Sequence, residues 1–154
     1  MSTSELPALP VTWVPRRNRV VLLTASGLLA ATFLTMALVL PQSWQLNDRV
    51  MLACLGLALS SVGLMLARPK ILADAEGVTV VNHLHTRRLH WAEIVRVNLR
   101  QGDPWATLDL ADGTSLAAMG IQPSGGRAQA VQAARALRDL AELHGAPAEP
   151  DVTR

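Results

Sequence analysis

The groups able to do chemistry in this chain are few and thinly spread. His83 and His85 stand two apart, so on a strand both imidazoles would share a face, as metal ligands do, with His90 nearby. No third and fourth ligand follow at suitable spacing and no cysteine joins them, so outward-facing polar histidines are the simpler expectation. Cys54 is the single cysteine. It lies inside an uncharged apolar run with no base on its own helix to form a thiolate, and is expected to be small buried filler. Asp109 and Asp112 are close in sequence but belong to a strand and a turn. There is no Gly-rich phosphate loop, no nucleophile elbow, no zinc-protease motif and no calcium loop. Catalysis is therefore not expected, and neither is a metal or cofactor.

Cations and indoles remain as candidate contacts. Arg87 and Arg88 are adjacent on an expected strand and must point to opposite faces, so at most one joins any one patch. One of them, with Arg68 and Lys70, could touch anionic lipid head groups, each contact contributing ~1 kcal/mol. The alternative is solvated or topology-setting charge. Trp91 and Trp105 are the aromatic candidates for an interface, with Trp91 expected in the core. From Arg68 to Arg154 there are ten basic and ten acidic residues, so the net charge of +2 resides in the first forty-nine residues. A nucleic-acid binder needs a concentrated basic face with stacking aromatics, which this segment lacks.

The elements that carry these residues fall into two kinds. Half of the 154 residues are hydrophobic, and they concentrate in two blocks. Val20 to Leu40 holds no charge and as a helix would span about 31 Å, a bilayer's hydrocarbon core. Val50 to Ala67 would reach about 27 Å, enough to cross if the flanking Arg side chains snorkel. Neither block shows the polar stripe of a soluble bundle helix, and the first is too long for a cleaved leader. The expected layout is an N-terminal segment 1–19, a first span 20–40, a loop 41–49, a second span 50–67, a soluble domain 68–145 and a flexible tail 146–154.

Arg16, Arg17 and Arg19 precede the first span, and Arg68, Lys70, Arg87 and Arg88 follow the second, whereas the loop holds only Arg49. Both termini and the soluble domain are thus expected in the cytoplasm, with the loop outside. Trp13 and Trp44 would lie near opposite interfaces. Small residues four apart, Gly27 and Ala31 in the first span and Gly56 and Ser60 or Gly63 and Ala67 in the second, could let the antiparallel pair pack closely. Neither interior holds an ionisable group of the kind that marks an ion route, so the pair reads as an anchor.

After Arg68-Pro69 the period switches from helix to strand. Strands are expected at Ile71 to Ala73, Val78 to Val81, His83 to Leu89, Val95 to Arg100, Ala106 to Leu110 and Thr114 to Ala118. Asp74 to Gly77, Gly102 to Pro104 and Asp112-Gly113 form turns. Val95, Val97 and Leu99 should face one way, and Ala106, Leu108 and Leu110 inward. A helix from about Gly126 to His144, capped by Ser124, should bury Val131, Ala134, Leu137, Leu140 and Ala141.

Certain residues narrow this further: Glu76-Gly77-Val78-Thr79-Val80, Arg87-Arg88, His90-Trp91-Ala92-Glu93-Ile94, Gly102-Asp103-Pro104-Trp105 and Leu110-Ala111-Asp112-Gly113. Over Pro69 to Leu143 the chain resembles the bacterial PH domain of small two-span actinobacterial membrane proteins, the low-molecular-weight-antigen type. The resemblance implies a membrane α-helical hairpin plus an α+β soluble domain, a PH-like antiparallel β-barrel closed by a C-terminal helix. Phosphoinositide binding does not carry over, because the first hairpin turn here, Asp74-Ala75-Glu76-Gly77, would repel phosphate. The expected function is a membrane-anchored, non-catalytic binding or assembly module at the inner or plasma membrane. Its partner would be a protein or a second copy, reached by β-strand addition, helix-in-groove contact or association in the membrane plane. The alternative is a peripheral sensor of anionic lipid.

Overall fold

The computed structural model describes residues 7–145; the expected tail 146–154 lies outside them. The chain forms two compact units. Arg16–Arg68 make one, and the described residues up to Pro15 join those from Pro69 onward in the other.

The first unit is a helical hairpin of α1 (Arg16–Val39) and α2 (Leu46–Leu66). Both helices are long and apolar enough to cross a membrane. They pack through small residues on α2. A side chain at Gly56 would collide with Phe33, and one at Gly63 with the Ser26 hydroxyl, while Ser60 is buried between them. Gly27, expected in this contact, faces open space. Its neighbour Ser26, about 100° around the helix, faces α2 instead. The Ser26 hydroxyl donates to the Leu22 carbonyl at 2.7 Å, which satisfies it within its own helix.

The connecting loop is closed by Arg49. Its guanidinium donates to the carbonyls of Leu40 at 2.7 Å, Pro41 at 3.0 Å and Leu38 at 3.4 Å, acceptors that the end of α1 leaves without intrahelical partners. Asp48 in turn accepts from the Gln45 amide at 3.2 Å, in the first turn of α2.

Among the described residues the second unit contains seven short strands and one long helix. β1 (Val11–Trp13), β2 (Lys70–Ala73), β3 (Gly77–Val81) and β4 (Thr86–His90) form an antiparallel sheet in that order. β5 (Ile94–Asn98), β6 (Ala106–Leu110) and β7 (Ser115–Ala118) form a second, and α3 (Arg127–Gly145) follows. The strands form two antiparallel sheets that are not closed into the expected barrel. β4 runs into a 3-10 turn at Trp91–Glu93 instead of pairing with β5, so the hydrogen-bond ladder is interrupted there. Asn82 ties the two sheets together. Its side-chain amide donates to the Ala117 carbonyl at 2.7 Å, and its oxygen accepts from the Met119 amide at 3.2 Å.

The inward faces meet in one core. Ile71, Val78, Val80 and Leu89 from the first sheet and Val97, Ala106, Leu108 and Ala118 from the second are fully buried. Ala130, Ala133, Ala134, Leu137, Leu140 and Ala141 of α3 join them. Each large aliphatic side chain so buried stabilises the fold by roughly 1.5–3 kcal/mol. Val131, expected on this face, is only half-buried. The Ser124 hydroxyl bonds Gln122 at 3.2 Å within a 3-10 turn, Pro123–Gly125, and does not cap α3.

Two further expectations change. Trp13 does not stand free at an interface; it pairs opposite Ile71 in β1 and packs against the core. Val95 does not share a face with Val97. The pairing runs Ile94 with Leu110 and then Arg96 with Asp109, a β-bulge that leaves Val95 as the extra residue, 67% exposed.

Candidate functional site

His83 and His85 sit in a turn rather than on one strand, closed by the Asn82 amide donating to the His85 carbonyl at 2.9 Å. β4 begins only at Thr86. Among the described residues no group of three or more His, Cys, Asp or Glu side chains is placed to hold a metal ion.

Of the candidate lipid cations, Arg87 and Arg88 are adjacent on β4 and point to opposite faces of the sheet. Arg68 is exposed just past α2 and belongs to the hairpin unit, whereas Lys70 is half-buried at the start of β2. Arg88 lies over the first hairpin, 3.1 Å from the Asp74 carboxylate and 2.9 Å from that of Glu76. Arg87, on the other face of β4, reaches Asp112 in the β6–β7 turn at 3.5 Å. The first group sums to one negative charge and the second to zero, so neither presents a net cation.

These turns are built around their carboxylates. Asp74 accepts from the Glu76 and Gly77 amides, both at 3.0 Å, an Asx turn that sets up β3. Partial desolvation pushes the Asp74 carboxyl upward, but the two amides and the Arg88 guanidinium outweigh it and hold the group below its ordinary 3.8. Asp112 is likewise lowered. The Thr114 hydroxyl and amide, at 2.6 and 2.8 Å, act first, and Arg87 adds to them against a small desolvation. Gly113 takes φ +81°, the left-handed backbone this tight hairpin needs.

Trp91 is 3% exposed. Its indole N–H donates to the Asp74 carbonyl at 3.0 Å, and its ring stacks on His144 of α3 with centroids 5.3 Å apart. It therefore joins the acidic hairpin to the end of α3 and is not available to a partner. Trp105, just before β6, is half-buried.

A surface that the sequence does not reveal lies along β5. This strand pairs with β6 on one side only, and beside its other edge runs the last part of α3. Between them is a cavity of about 610 Å3, lined by Ile94 to Asn98 and by Arg138, Ala141, Glu142 and Gly145. Arg138 reaches across it to donate to the Val97 carbonyl at 2.6 Å, satisfying an acceptor of the open edge. Arg96 projects from the bulged stretch and is exposed. The bulge and the distant pairing of β5 with α3 hide this groove from any local pattern.

Comparison with known proteins agrees with the architecture of the second unit. The chain is 37% identical over 79 residues to uncharacterized proteins of Mycobacterium bovis and Mycobacterium tuberculosis. The match covers 51% of this chain and spans about half the length of those relatives, 51%. No solved structure matches the chain significantly. The family model of the bacterial PH domain matches residues 68–140, the stretch that runs from the start of β2 to within α3. Strand pattern, closing helix and sequence together make residues 68–140 of this chain similar to the bacterial PH domain family.

Proposed function

We propose that this protein is a non-catalytic binding or assembly module, anchored by α1 and α2 in a cell membrane with its PH domain and both termini on the cytoplasmic side. The anchoring is supported by the apolar exterior of the hairpin, where Val20, Leu28, Leu38, Val50, Leu57 and Leu64 are all more than half exposed. Such a continuous apolar surface is costly in water and matches lipid tails. The cation distribution around the two helices supports the orientation.

A protein partner is favoured over a lipid head group. The observation that carries this choice is the open edge of β5 beside α3, a main-chain docking surface of the kind that strand addition uses. Lipid sensing is the second reading. Arg87 and Arg88 each face carboxylates, and their groups carry a net charge of zero and minus one. A lipid phosphate contributing ~1 kcal/mol per cation would have to overcome that repulsion.

Crosslinking of tagged full-length protein in native membranes, followed by mass spectrometry, tests the choice. Crosslinked peptides from a partner protein are expected. If crosslinking yields none, and hydrogen exchange shows the Arg87–Arg88 strand protected by anionic vesicles in a salt-sensitive way, the lipid reading replaces it.

A further inference from the structure

We propose that the groove between β5 and α3 receives an extended segment of a partner protein carrying an acidic side chain, and that Arg138 acts as an exchangeable cover of the strand edge. This rests on the protein-binding reading above and deepens it to a site and a ligand chemistry.

An open strand edge is normally blunted, because its unpaired amides and carbonyls template unwanted pairing. Here two devices do that work. The bulge at Val95 disrupts the ladder, and the Arg138 guanidinium occupies the Val97 carbonyl. The second device is reversible. A neutral carbonyl is a weaker acceptor for a guanidinium than a carboxylate, which takes two parallel hydrogen bonds in the guanidinium plane. An acidic side chain entering the groove therefore draws Arg138 away. The Val97 carbonyl then takes a backbone N–H from the same incoming strand, and no buried polar group is left unsatisfied.

The charge of the groove agrees with this ligand. Among the described residues Arg96 and Arg138 line it against one carboxylate, Glu142, whereas the other arginines of the sheet faces, Arg87 and Arg88, are engaged by carboxylates. Arg96 has no ion-pair partner among the described residues. Its guanidinium is a second point of attachment. Ile94–Asn98 offers about 16 Å of strand at ~3.3 Å per residue, room for four or five residues of extended chain. Exposed Val95 supplies an apolar contact beside the charges.

The test uses full-length protein in nanodiscs and hexapeptide pools, each with one position fixed as Glu or as Lys and the rest mixed. Glu pools should be retained about tenfold over Lys pools. That preference should fall at least about fivefold in Arg96→Gln and in Arg138→Gln, stay unchanged in Arg87→Gln, and be lost when the pool backbones are N-methylated. The variants change exposed side chains, and unaltered thermal unfolding confirms that they fold. Equal retention of Glu and Lys pools, a preference that survives both substitutions, or indifference to N-methylation overturns the proposal. So does retention that appears only after residues 146–154 are removed, or that is competed by dimerisation, since the occupant is then this chain itself. Protein crosslinks in native membranes that map away from β5 would remove this site and leave the protein-binding reading standing. An absence of protein crosslinks anywhere would end that reading first.

Discussion

Asp74 shows how one side chain can set both the shape and the charge of a hairpin. By accepting two turn amides and pairing with Arg88, it makes the first hairpin a self-satisfied, negatively charged turn. Its lowered pKa and that of Asp112 have a direct consequence for stability. A carboxyl whose folded pKa lies below its unfolded one contributes stability that is present above the unfolded value and is lost as pH falls through the folded value. The second unit should therefore unfold at progressively lower temperature as pH drops below about 4, and the Asp74→Asn, Asp112→Asn double variant should show a flatter dependence. Thermal unfolding followed across acidic buffers checks it. Trp91→Phe removes the indole donor to the Asp74 carbonyl and part of the His144 stack, and is expected to cost about 1–2 kcal/mol in chemical denaturation. The sequence places Arg87 and Arg88 on opposite faces by strand alternation alone. Their carboxylate partners lie 12 to 25 residues away in the chain, and no spacing rule reaches that far.

Elements were legible where one periodicity ran unbroken. Ala106, Leu108 and Leu110 alternate inward as expected, and the two apolar runs became the two hairpin helices. The pattern fails where backbone geometry departs from it. The bulge at Val95 reverses the facing of a residue whose type suggests burial, and β1 is three residues long, bounded by Pro10 and Pro15, too short to carry a period. β1 nevertheless matters, because Leu9, Val11 and Trp13 cover one flank of the core and Val11 to Trp13 pair along β2. Deleting residues 1–15 should cost about 2–4 kcal/mol and speed hydrogen exchange of the Lys70–Ala73 amides, read by mass spectrometry on the full chain in detergent. An excised 68–145 segment would carry the same defect, with the edge of β2 open to aggregation. Within the hairpin, Gly56→Leu must displace Phe33 and should weaken the helix pair by about 1–3 kcal/mol in a steric-trapping measurement. Gly27→Leu, facing open space, should leave it unchanged.

The whole molecule joins a unit whose exterior is oily to one whose exterior is polar. Hydrophobic blocks without a polar stripe made the first readable in the sequence, and turn residues between alternating runs made the second so. The division into two sheets was not readable, because strand pairing is set by contacts distant along the chain. If the proposed topology holds, the full chain pellets with membranes in the absence of detergent. A periplasmic phosphatase reporter inserted within 41–45 is then expected to be active, and the same reporter fused after Gly145 inactive. Activity at the second position would reverse the orientation.

The Arg49 clasp bears on how such a hairpin could enter a bilayer. From the end of α1 through the first turn of α2 the only formal charges are those of Asp48 and Arg49, which cancel. The guanidinium is also wrapped in carbonyl oxygens at the negative end of the α1 dipole. If the proposed topology holds, such a tip would cross as an electrically silent plug, and both helices would be threaded together in one step with little work done against the membrane potential.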